Sequence, residues 1–272
     1  MENEIPKTPV PESPVEAQPQ IETQAGIEPQ PHPKGPQLVA PVWHTIIIVA
    51  FILFSSWLSS KLGGTRGPER RRILLYISTM IQDVVLLAFI WFGLWWKQVK
   101  MRDLIGGRWH QFEDFLIDVA LAAGFWVSSI GILFVLQRVV SKITATSVPS
   151  IDSARETIGA IMPKSGQELV VFISLALLVG FFEEVLFRGY LQKQLSALTG
   201  SAFAGLIIAG ALFGAAHGYQ GARMMVVLAV YGIMFGLLAH FRKNLRPGMM
   251  VHAWQDSIAG LAFFILTKYK LI

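Results

Sequence analysis

No cysteine occurs in the 272 residues. That absence removes disulfides, thiolate metal sites and cysteine nucleophiles together, and leaves the redox compartment unmarked. Charge is scarce too: 15% of residues are Asp, Glu, Lys or Arg against 53% hydrophobic, and the mean hydropathy is +0.51. Proline is sparse beyond position 40, because the first forty residues hold nine of the fourteen. A chain so poor in charge and helix breakers, and so rich in apolar residues, reads as all-α: a polytopic transmembrane helical bundle.

What is present divides into four stretches. Residues 1–40 carry the prolines, scattered Gln and six Glu against two Lys, with no apolar run able to form a core. Such a segment cannot offset its ordering entropy and is expected to be disordered. It shows no charged start followed by an apolar core, so no cleavable signal peptide is expected and the first span would act as an uncleaved anchor. Residues 41–140 hold three apolar stretches and 169–272 hold four, starting near Trp43, Ile73, Phe115, Leu169, Ala202, Met224 and Met249. Each approaches the ~20 residues needed to cross a hydrocarbon core, which gives about seven spans. Between the halves, 141–168 is polar enough to leave the membrane, and Pro149 and Pro163 bracket a short helix that is a candidate substrate gate.

Tryptophans 43, 57, 91, 95 and 96 sit near span ends, where an amphipathic ring suits the headgroup level. The first loop, with Lys61, Arg66, Arg70, Arg71 and Arg72, argues for a cytoplasmic position. The next, with Lys97, Lys100, Arg102 and Arg108, argues the same for itself, and adjacent loops cannot both be cytoplasmic. The charge pattern therefore sets no orientation. Basic loops of this kind are ordinary lipid-facing surface, and no nucleic-acid partner is expected. The expected location is integral to a membrane, with the cell membrane first.

Charges inside the apolar stretches are the informative ones. Glu183, Glu184 and Arg188 interrupt the run 169–190, and each charge at bilayer depth costs about 2.5–3.5 kcal/mol even on the lenient insertion scale. Glu184 and Arg188 are four apart in the acid-before-base order that favours an ion pair on one helix face. Successive residues lie about 100° apart around a helix, so Glu183 points elsewhere, unpaired by its own helix. That is the position of a carboxylate that acts on water or binds a metal. His217 ends a span of small residues, with Phe213 one turn before it, and His252 and Asp256 lie four apart on the last span. Asp83 and Asp118 in the first half, and His44, His110 and His240, read as packing or interface residues.

In this order the motifs resemble the CPBP group of intramembrane proteases, the CAAX prenyl endopeptidase type II and bacteriocin-processing (Abi) proteins. Their pattern is Glu-Glu-x-x-x-Arg, then Phe-x-x-x-His, then His-x-x-x-Asn or Asp. Here it stands as Glu183, Glu184 and Arg188, Phe213 and His217, and His252 and Asp256, within roughly 165–266. The resemblance implies a helical membrane protease acting on a peptide or protein substrate, prenylated in part of the family, with membrane lipid around it.

Chemistry then suggests roles. Glu183 would be the general base on a water that His217 also holds, His252 would donate to the oxyanion, and Asp256 would fix its tautomer. Glu184, Arg188 and Phe213 would be structural support. A second version places zinc between Glu183, His217 and His252; the metal-free version is put first. No His-Glu-x-x-His, Gly-x-Gly-Asp or Gly-x-Ser-x-Gly is present to support another protease class. Two alternatives outside catalysis are a scaffold or immunity-type protein of the same fold, and an ion or proton transporter. The first half has no matching charged cluster to support the latter.

Overall fold

The structure, a computed structural model, describes residues 35–62, 69–143 and 159–270. Residues 1–34 of the expected tail, Arg66 in the first basic loop and most of the gate helix lie outside the described residues, whereas the end of that tail is ordered rather than disordered: Val39 and Ala40 are buried and their N–H groups donate to Gln194 Oε1 at 2.9 and 3.2 Å. Among the described residues six helices are long and apolar enough to cross a membrane. They belong to α1 (Val42–Leu62), α2 (Glu69–Trp96), α4 (Phe112–Ile143), α5 (Gly166–Glu183) with its continuation to Thr199, α8 (Ala222–Arg242) and α9 (Arg246–Lys268). Short α3 is Met101–Ile105, α6 is Gln192–Thr199, and α7 is Ala202–Ala216. The helical bundle expected from composition is what forms.

The stretch beginning at Ala202 differs from the other six. Helix α7 has 15 residues, about 22 Å at 1.5 Å per residue, short of the ~30 Å hydrocarbon core. His217 caps its C-terminal end, so the short helix delivers an imidazole part-way along the bundle.

Local signals set the helix ends around the site. Ser165 accepts from the backbone N–H of Glu168 at 3.2 Å, which starts α5 as a Ser-x-x-Glu cap. Ser201 does the same for α7 through Ala204. Gly200, with φ +69°, makes the left-handed turn that separates α6 from α7.

Polar groups lie inside and large apolar groups outside, as lipid requires. Trp91, Phe134 and Val170 are exposed, while Asp118, Glu168 and Glu184 have no exposed surface. Each of these carboxylates has partners. Asp118 accepts from Trp109 Nε1 at 2.7 Å and pairs with Arg242 and Arg246 at 2.8 and 3.0 Å. The packing role expected for it is what it has. Glu168 takes Arg72 at 2.7 Å and the Lys164 N–H at 2.6 Å, which anchors α2 to α5. His44, also fully buried, sits between the Tyr190 hydroxyl at 2.7 Å and the Phe89 carbonyl at 2.8 Å, a packing histidine.

Candidate active site

Helix α5 carries Glu183 as its last α-helical residue, and the chain then widens into a π-helix over Glu184–Leu191. Wider i→i+5 winding inside an α-helix is rare and recurs at functional sites. Every residue of that π segment is buried. Helix α9 crosses beside it because Gly180 has no side chain: a Cβ there would stand 2.7 Å from the Ala253 backbone N. This near contact brings the α5 carboxylates to His252, one residue before Ala253. Gly180→Ala is expected to push the helices apart at a cost of about 1–3 kcal/mol. Its check is a lowered melting temperature together with a lowered turnover.

His252 is the hub. Its Nε2 lies 3.5 Å from Glu183 Oε2 and 3.9 Å from Asp256 Oδ2, and its Nδ1 lies 3.5 Å from Glu184 Oε1. The two adjacent glutamates thus address opposite nitrogens of one ring, which is how residues about 100° apart on a helix share a target while doing different work. None of these contacts is a tight hydrogen bond, and Glu183 Oε2, Glu184 Oε2 and His252 Nδ1 have no hydrogen-bond partner among the described residues. Long contacts of this sort are common in catalytic sites before substrate arrives.

Arg188 holds Glu184 in place. Its Nη1 donates to Glu184 Oε1 at 2.9 Å and its Nη2 to the Gly232 carbonyl at 3.2 Å. The guanidinium lies over the rings of Phe213 at 4.5 Å and Phe235 at 4.8 Å, a cation–π cage strengthened by desolvation. Gly248 leaves room for the carboxylate, since a Cβ there would come within 2.7 Å of Glu184 Oε2.

Phe213 links the two imidazoles, with ring centroids 4.8 Å from His217 and 6.3 Å from His252. His217 Nδ1 lies 2.8 Å from the Phe213 carbonyl. A carbonyl only accepts, so Nδ1 donates and Nε2 of the neutral ring keeps its lone pair. The motif residues therefore gather from four elements: α5, the π segment, the end of α7, and α9.

The sequence reading missed Phe235, which stacks on both Arg188 and His252 at 4.8 and 5.5 Å, and Gly248. It also missed the Tyr231 to Gln255 hydrogen bond of 2.5 Å that ties α8 to α9. An aromatic in a hydrophobic span carries no signal of its own. Among the described residues no group of three His, Cys, Asp or Glu is placed to hold a metal ion.

Residues 165–258 match one family model, described as Rce1-like: Type II CAAX prenyl endopeptidase Rce1-like. That segment is similar to this family. The match spans about a third of the chain and takes in all three motifs, so the resemblance carried by Glu183 to Asp256 is borne out. Protease of the CAAX-type intramembrane kind is the activity that the Rce1-like segment supports, within an integral membrane protein. No curated protein and no solved structure matches the chain.

Proposed function

We propose that the protein is an intramembrane endopeptidase that hydrolyses a peptide bond close to the membrane, with Glu183 as general base and a prenylated CAAX-type protein or peptide as substrate. The observation that carries this reading is the placement of Glu183 Oε2 at 3.5 Å from His252 Nε2 between two apolar spans. Glu183 takes a proton from a water that His217 also holds through its Nε2 lone pair. The water oxygen then bonds to the scissile carbonyl carbon as the C=O electrons move onto oxygen. His252 donates Nε2–H toward that oxyanion. Collapse breaks the C–N bond, and the proton held by Glu183 passes to the leaving amine.

Three carboxylates around one imidazole favour a donating His252. Glu184, already neutralised by Arg188, orients the ring through Nδ1, and Asp256 supports it from one turn further along α9. The prenyl chain would lie in lipid, and the apolar outer surface of the spans suits a substrate arriving sideways.

Zinc is the second version: Glu183, His217 and His252 would hold it and it would polarise the carbonyl and acidify the water, although among the described residues these three do not stand together as a ligand group. Purified protein in lipid vesicles is expected to cleave a farnesylated peptide, read by mass spectrometry. Elemental analysis with turnover before and after chelation separates the two versions. Unchanged turnover after chelation is the expected result, and loss restored by zinc alone would overturn the metal-free mechanism. A protein that binds the peptide and never cuts it would favour the scaffold reading.

A further inference from the structure

One buried carboxyl stands outside every interaction described so far. Asp83 on α2 is 5% exposed, and its Oδ2 has no hydrogen-bond partner. Asp118, the other acid read as packing in the first half, is held by three donors. Packing accounts for one and leaves the other at the full cost of an unpaired polar group in lipid.

Helix register shows where Asp83 lies. Helices α2 and α5 run parallel with a constant offset: Arg72 pairs with Glu168 at 2.7 Å, 96 positions on, and Tyr76 meets Phe172 edge-on at 5.5 Å, the same offset. Further along, Leu86 and Ile90 share one core cluster with Phe182 and Leu186, the positions that offset names again. Asp83 is therefore level with Val179, one turn short of Glu183 on the same helix.

Glu183 Oε2 is the second orphan acceptor in this neighbourhood. Two buried acceptors that receive no hydrogen bond among the described residues match the two O–H groups of one water, and a polar site with such partners is where buried water sits. We propose that Asp83 is a positioning residue of the catalytic site: its carboxyl and Oε2 of Glu183 hold one water between them. The bridge fixes the carboxylate plane of Glu183 and leaves its other oxygen for the nucleophile. The first half of the chain thus supplies a functional group outside the Rce1-like segment. This rests on Glu183 being the base.

The test compares wild type, D83L, D83N and E183Q in lipid vesicles on the farnesylated peptide. D83L removes an unpaired carboxyl, so its melting temperature is expected to stay level or rise. Its kcat is expected to fall about 10- to 100-fold with KM unchanged, the scale of a misplaced catalytic group. D83N keeps an acceptor oxygen in the same shape and is expected to keep most of the rate. Full kcat in D83L, a joint loss of melting temperature and kcat, or equal damage in D83N would each overturn the proposal. Infrared difference spectra against E183Q isolate the Glu183 carboxyl band independently of turnover. D83L is expected to shift that band, and an unmoved band overturns the water bridge. The general-base reading itself fails separately, if E183Q cleaves at the wild-type rate.

Discussion

Glu183→Gln is expected to lower turnover of a farnesylated peptide by about 10²–10⁴-fold, the range attributed to a general base, while the melting temperature stays where it was. The amide has the shape of the carboxyl and cannot take up the proton. Little of the fold depends on the charge: Glu183 is the more exposed of the two glutamates, at 18% of its side chain against none for Glu184, and among the described residues its Oε2 accepts no hydrogen bond from the protein. Paired measurements of kcat and melting temperature check this directly. Because KM reports ground-state binding when chemistry is slow, it is expected to move little. A variant that loses turnover and stability together would assign Glu183 a structural role. One that keeps turnover would remove it from the mechanism.

Sequence reached some of these relationships because they are local. Glu184 and Arg188 lie on one helix at a fixed spacing, so their pairing follows from helical geometry, and it is seen at 2.9 Å. The cost of charge in lipid made the same segment conspicuous before any fold was known. Which imidazole Glu183 faces was not legible, since that depends on how closely α5 and α9 cross. The crossing is set by Gly180 against Ala253, a residue pair that no spacing rule connects. The π segment escaped notice for a similar reason: extra winding is imposed by buried contacts all around Glu184–Leu191, not by a local propensity. Helix α7 looked like a span because its 15 residues are almost all apolar, and only its length in three dimensions distinguishes it. Asp83 and Asp118 looked alike in sequence, yet Trp109 and two arginines from a distant segment reach Asp118, while among the described residues no donor reaches Asp83 Oδ2.

The second large effect is on stability. Arg188→Met is expected to destabilise the protein by about 3–5 kcal/mol, because it strands the carboxylate of Glu184 inside the bundle without its counter-charge. Glu184 has no exposed surface, and Gly248 packs so closely beside it that the carboxylate has little room to swing toward lipid headgroups. Methionine fills much of the space between Phe213 and Phe235, which isolates the loss of charge from the loss of packing. Arg188→Met combined with Glu184→Gln removes both charges and is expected to restore most of that stability, since a neutral polar pair costs far less to bury. Thermal unfolding of wild type, Arg188→Met, Glu184→Gln and the double variant in one detergent measures the coupling, and an Arg188→Met loss below about 1 kcal/mol would show that the pair holds nothing together. Turnover is expected to follow a different pattern. Glu184 Oε1 also faces His252 Nδ1 at 3.5 Å, so the double variant recovers the fold while the ring that addresses the oxyanion stays unsupported. Refolded yet slow is the signature that separates a residue holding the helix from one holding the catalytic imidazole.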